Sequence, residues 1–180
     1  MPPVIKISKK EILDKGLEII GYEGIEGINA RNLAAKLKCS VQPIYYQFKN
    51  MDELKKELVN YAYQFYENYI NNSKTCELKY LASGMAYIKF SKEKKNLFNL
   101  LFMKPHKQNI EDPTLDYVHQ IVMNKTGLSL EKAKEFHFDM WIYVHGLATM
   151  VYTGIVNFKE NIIEELLKKQ YEALIGRYSK

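Results

Sequence analysis

The sequence predicts an all-α protein of about nine helices, on three observations. Proline falls only at positions 2, 3, 43, 105 and 113, so long stretches carry no helix breaker. Apolar residues recur through those stretches at helical spacing, repeatedly behind residues suited to helix caps. Strand signals are nearly absent, with no sustained alternation and no Asn-Gly or Asp-Gly turn to close a hairpin. The chain carries no internal repeat and no low-complexity segment.

The elements follow in order. Ser8-Lys9-Lys10-Glu11 reads as a capping box opening the first helix. Its apolar face is Ile12, Leu13, Gly16, Leu17, Ile19 and Ile20. Gly21, Gly24 and Gly27 are expected to break it and to supply positive-φ turn positions. They make no phosphate loop, because no Gly-Lys-Ser/Thr follows and no strand precedes. A second helix spans Ala30 to Leu37 behind Asn29 as N-cap, and a third spans Val41 to Phe48 behind Ser40, with Pro43 in its first turn. The fourth starts after Asn50, with Glu53 completing another box, and runs to about Asn71. Asn71-Asn72-Ser73-Lys74 is the clearest candidate boundary. Beyond it the pattern predicts helices over 77–91, 93–103, 112–126, 129–156 and 159–178. Pro105, Pro113, Gly127-Leu128-Ser129 and Asn157 punctuate them.

With 180 residues and 21.1 kDa, the chain suits one domain or two small ones sharing a helix. At 47% hydrophobic it can bury its own core, and Cys39 and Cys76 are too few for a disulfide framework. The opening Met-Pro-Pro-Val-Ile-Lys has no signal pattern. Met140 to Phe158 carries no Asp, Glu, Lys or Arg, but Tyr143, His145, Gly146, Thr149, Tyr152, Thr153, Gly154 and Asn157 dilute it. The expectation is a helix buried on nearly all sides within protein, not a membrane span, in a cytoplasmic protein. A net charge of +5 permits an acidic partner without demonstrating one, but it is unevenly spread. Residues 1–50 hold eight Lys and Arg against five Asp and Glu, whereas the remaining 130 hold 18 against 16.

The segment Asn29 to Leu54 is the most informative. Its two short helices cannot stand alone. A shared apolar set explains them, with Leu33, Ala34 and Leu37 facing inward from one and Val41, Ile44 and Phe48 from the other. Lys38, Cys39 and Ser40 join them, which makes a helix-turn-helix whose second helix can enter a major groove. That helix turns Gln42, Tyr45 and Tyr46 outward, with Gln47 and Lys49 near its end. Gln pairs with adenine, while Tyr and Lys reach phosphates. Asn29 and Arg31 offer amides and a guanidinium to an anion at the second helix's start, and Ser40 and Val41 complete the candidate DNA-binding set.

The first 55 residues resemble the DNA-binding domain of TetR-type transcriptional regulators. The matching features are the glycine-ended first helix, Arg31-Asn32-Leu33-Ala34, Ser40-Val41-Gln42-Pro43-Ile44-Tyr45-Tyr46-Gln47-Phe48 and Asn50-Met51-Asp52-Glu53-Leu54. Trp141-Ile142-Tyr143-Val144-His145-Gly146 is similar to a Trp…His-Gly signature of one group of their effector domains. The resemblance implies a homodimer on a pseudo-palindromic operator with half-sites roughly 34–36 Å apart or a little more. It implies a DNA-binding domain over 1–52, an effector-binding and dimerisation domain over 53–180, and helix 4 connecting them. It also implies a repressor released by a small molecule, Tyr45 on a phosphate, Gln47 where a His often serves, and a dimer bundle from the last two helices. Two positions depart from the pattern. Lys38 stands where a turn Gly is usual, at a cost of about 1–2 kcal/mol if left-handed. Met51 stands where a phosphate-binding Lys is usual, so the salt slope should be shallower by about 0.9 per missing contact.

Candidate effector-pocket residues are Tyr87, Phe98, Phe102, Tyr117, Trp141 and His145, and their composition suits an apolar ligand. The competing reading is ordinary core, with Trp141 filling space and His145 bonded to a carbonyl. His137, Trp141 and His145 share a face but lack metal-site spacing, and His106 and His119 are expected at the surface or a pocket rim. In the last helix the stripe around Ile163, Leu167, Tyr171 and Leu174 is wide enough to suggest a dimer contact. Cys39 in the turn is more simply incidental than a redox switch. No nucleophile elbow, carboxylate pair or nucleotide loop suggests an enzyme, a catalytic residue or a cofactor. The alternative to a DNA-binding regulator is a helical adaptor with a purely structural helix-turn-helix.

Overall fold

The computed structural model describes residues 7–72, 79–105 and 115–178. Nine α-helices and no strand lie among the described residues: α1 (Lys9–Glu23), α2 (Ala30–Leu37), α3 (Gln42–Gln47), α4 (Met51–Asn72), α5 (Lys79–Glu93), α6 (Lys95–Phe98), α7 (Leu115–Thr126), α8 (Leu130–Thr153) and α9 (Glu160–Tyr178). A 3-10 turn over Ile25–Gly27 follows α1, and a π-turn over Asn99–Met103 continues α6. Cys76, His106, Pro113 and the expected helix starts at 77 and 112 lie outside the described residues. No described helix is long and apolar enough to cross a membrane.

The described residues fall into two compact units. One takes in residues up to Asn68 together with Lys94–Pro105, and the other takes in Tyr69–Glu93 and the residues after Pro105.

In the first unit α1 packs on α2, α3 and α6 around Ile12, Ile19, Ile20, Leu33, Ile44, Leu54, Leu58 and Phe98. The caps are local and act as expected at α1 and α2. Glu11 N–H donates to Ser8 Oγ at 3.2 Å while Ser8 N–H donates to Glu11 Oε2 at 2.8 Å. Asn29 Oδ1 accepts from Asn32 N–H at 2.9 Å. At α4 the box is displaced. Asn50 Oδ1 accepts from Glu53 N–H at 2.9 Å, but the Glu53 carboxylate caps Lys49 N–H at 2.6 Å, one residue early. Of the three glycines expected to break α1 only Gly24 has positive φ, at 75°. Gly21 stays helical, and Gly27 is required because a Cβ there would stand 2.7 Å from Glu23 Cβ. The tail of the unit is tied back to its start. Asn96 Nδ2 donates to Gly21 O at 3.0 Å, and Lys104 Nζ reaches Glu26 at 2.9 Å. Phe102 meets Tyr66, Phe98 and Tyr63 edge-on or tilted at 5.0, 5.4 and 6.1 Å between ring centres.

In the second unit α5 packs on α7, α8 and α9. A Cβ at Gly84 on α5 would meet Leu167 and Val144 at 3.4 Å, an ordinary contact distance, so the packing there does not require glycine. The core side of α8 is one stripe, Ala133, Phe136, Met140, Val144, Ala148 and Val151. The expectation that Met140–Phe158 is buried on nearly all sides is overturned. Trp141 and Ile142 are 42% and 52% exposed, and Met150 and Ile155 are exposed with them. The helix ends at Thr153 on Gly154, which is left-handed at φ 79°, short of the expected 156.

Candidate functional site

The turn between α2 and α3 is a Schellman closure built on a lysine. Lys38 sits at φ 54°, ψ 43°, the single non-glycine residue with positive φ among the described residues. Its N–H donates to Ala35 O at 3.2 Å and Cys39 N–H donates to Ala34 O at 3.0 Å. This reversal lets Leu33, Ala34, Ile44 and Phe48 share one buried core, with Leu37 half-buried beside them. Cys39 is half-buried too, and burial pushes its thiol above the ordinary range, away from the reactive thiolate.

Helix α3 is one residue shorter at each end than the pattern predicted. Its N-cap is Val41, not Ser40, and Val41 makes no side-chain cap. Val41 is also not inward-facing, since it is 39% exposed. Pro43 lies in the first turn as expected. All nine candidate DNA-binding residues, Asn29, Arg31, Ser40, Val41, Gln42, Tyr45, Tyr46, Gln47 and Lys49, are exposed. Besides the Asn29 cap, two side-chain bonds hold members of this set. Gln42 Nε2 donates to Tyr46 Oη at 2.7 Å, and Gln47 Nε2 donates to Ile7 O at 3.2 Å, tying the helix end to the chain ahead of α1.

The candidate effector residues do not form one set. Phe98 and Phe102 belong to the first unit, and Tyr87, Trp141 and His145 belong to the second. The side chain of Tyr117 lies outside the described residues. Tyr87, Trp141 and His145 do meet. Tyr87 Oη lies 2.8 Å from His145 Nδ1, and Trp141 stacks on His145 at 5.1 Å and 15°. Phe138 extends the stack at 6.2 Å from Trp141. Thus Trp141 does not fill core, and His145 bonds a phenol where a carbonyl was expected. Burial holds the His145 imidazole below its ordinary value of 6.5.

Three of the four candidate dimer residues, Ile163, Leu167 and Leu174, are buried inside their own unit, and Tyr171 packs on Tyr80 and Phe136. The apolar residues left open on these two helices instead include Phe138, Trp141, Ile142 and Met150 of α8 and Ile162 of α9.

One cluster was not legible in the sequence. His119 is buried, not at the surface, and its Nδ1 has no hydrogen-bond partner among the described residues. It meets His137 edge-on at 5.6 Å, while His137 Nδ1 lies 3.0 Å from Tyr80 Oη. These residues sit on α5, α7 and α8, so no spacing along the chain connects them. Among the described residues no three His, Cys, Asp or Glu side chains gather as metal ligands.

No protein-family model matches the chain, and no curated protein matches it.

Proposed function

We propose that the protein is a dimeric, ligand-responsive DNA-binding transcriptional regulator of TetR type, acting in the cytoplasm as a repressor released from its operator by a small molecule. The observation that carries this reading is α3. It is a short helix presented by a tight turn, with its apolar side buried against α1 and its Gln and Tyr side chains, with Lys49 just beyond its end, open to solvent. A helix kept only for packing would need no outward aromatic residues, and Tyr46 is 72% exposed.

The exposed apolar face of α8 supports the dimer. Phe138, Trp141 and Ile142 line one side of a helix whose other side is core, which is the pattern of a helix with two packing partners. Regulation would be a population shift, with the effector favouring a conformer whose two α3 helices fit the operator poorly. The protein performs no chemistry in this reading.

Footprinting on DNA flanking the protein's own gene tests it. Protection of a pseudo-palindrome, lost when Gln42 and Tyr46 are both replaced by Ala at unchanged stability, is the expected result. A folded dimer that protects no such site refutes it.

A further inference from the structure

The geometry points to α3 as a reader of A·T-containing half-sites, in which Gln42 and Val41 read one step and Tyr46 positions Gln42. This rests on the DNA-binding reading above and names the sequence class that α3 selects. Gln42 and Tyr46 stand four residues apart, on one exposed face. The 2.7 Å bond from Gln42 Nε2 to Tyr46 Oη uses one amide hydrogen and fixes the amide plane. The second amide hydrogen and Oε1 remain to serve as a donor and an acceptor. Adenine presents the complement in the major groove, an acceptor at N7 and a donor at N6, whereas guanine presents two acceptors. A guanine would therefore leave Oε1 facing O6, acceptor against acceptor. Tyr46 Oη both accepts and donates, so the bond pins the amide against the helix rather than choosing its sense; with Nε2 on Tyr46, as here, the groups left over are the ones that match adenine.

Val41 adds an independent observation. It is the N-cap of α3, a position where Ser, Thr, Asp or Asn stabilises a helix and valine does not. It is also exposed, so it serves neither the cap nor the core. An exposed branched apolar side chain beside Gln42 fits the C5-methyl of thymine, the one apolar group on a major-groove edge. Together the three residues select a thymine adjacent to an adenine in each half-site.

Selection of the full-length protein on a pool of random duplexes, followed by binding isotherms on the selected site, tests this. The selected half-sites should share one A·T pair at which G·C, or 7-deazaadenine lacking the N7 acceptor, weakens binding about tenfold or more. Gln42→Ala should erase that discrimination, and Val41→Ser should erase the preference at the neighbouring thymine. Tyr46→Phe keeps the ring and loses only Oη. It should keep binding but shrink the adenine discrimination several-fold, a change that a purely structural Tyr46 would not produce. Selected sites with no common A·T pair, or discrimination unaltered by Gln42→Ala, overturn the inference while leaving DNA binding intact. Discrimination unaltered by Tyr46→Phe overturns the positioning role. Enrichment of no duplex by the folded protein overturns the DNA-binding reading, and this inference with it.

Discussion

Lys38→Gly should stabilise the protein. Lys38 occupies the left-handed region at φ 54°, ψ 43°, where its Cβ crowds the following carbonyl. That crowding costs about 1–2 kcal/mol for a residue with a side chain. Glycine relieves it but leaves the unfolded chain more entropy to lose, about 0.5–1 kcal/mol. Neither term touches the two closing bonds, Lys38 N–H to Ala35 O and Cys39 N–H to Ala34 O, which are backbone and remain. The difference is a net gain of about 0–1.5 kcal/mol, centred on about 0.75 kcal/mol, or about 2–3 °C in the melting midpoint at that centre for a chain of this length. The assay is thermal and urea unfolding of wild type, Lys38→Gly and Lys38→Ala. Alanine keeps Cβ and so keeps the strain, which makes it the control for the lost lysine side chain. Lys38→Gly no more stable than Lys38→Ala would refute the attribution to backbone strain.

Gly16→Val should destabilise by about 1–3 kcal/mol, because a Cβ at Gly16 would stand 2.5 Å from Leu58 Cδ2 where α1 meets α4. Urea midpoints of the single variant and of a double variant with Leu58→Ala check it, the double losing less than the sum of the two singles. Stability should fall on acidification through His145. Its folded imidazole titrates below its ordinary 6.5, so the unfolded chain takes up the proton first. The contribution is full above 6.5, declines as pH drops through that value and levels off below the folded one. Midpoints of wild type against His145→Gln across that range isolate it, and identical profiles would exclude His145. Ile142→Glu should give a folded monomer by sedimentation, since Ile142 is exposed on α8, whereas Leu167→Glu should unfold the chain because Leu167 is fully buried. A dimer unaffected by Ile142→Glu would remove that face of α8 from the subunit contact.

The parts of this protein legible in its sequence are those decided by residues three to five apart. The box Ser8–Glu11 and the Asn29 cap depend on a side chain acting within one helical turn, whereas a left-handed Lys38 is suggested only by the glycine usual at that turn in the family the segment resembles. Exposure of Gln42, Tyr45 and Tyr46 followed from helical periodicity once Ile44 and Phe48 were assigned to the core. Even there, local competition shifted details. Val41 replaced Ser40 at the head of α3, and Glu53 capped Lys49 in place of Asn50.

Only the tertiary structure decided what packs on what. The uncharged part of α8, from Met140 on, offers apolar residues nearly all round, and composition cannot say which stripe a neighbour will cover. Packing against α5, α7 and α9 covered Phe136, Met140 and Val144 and left Phe138, Trp141 and Ile142 open. Phe98 and Phe102 resembled pocket residues in sequence, but contacts placed them in the unit that carries α3. His119 and His137 came together from separate helices, and nothing along the chain marks either for the other. Helix caps and turns are set by bonds within a few residues. Burial is set by surfaces that meet only after the chain has folded, which is why the sequence determined the turn and exposed face of α3 but not the surroundings of His145 or the open face of α8.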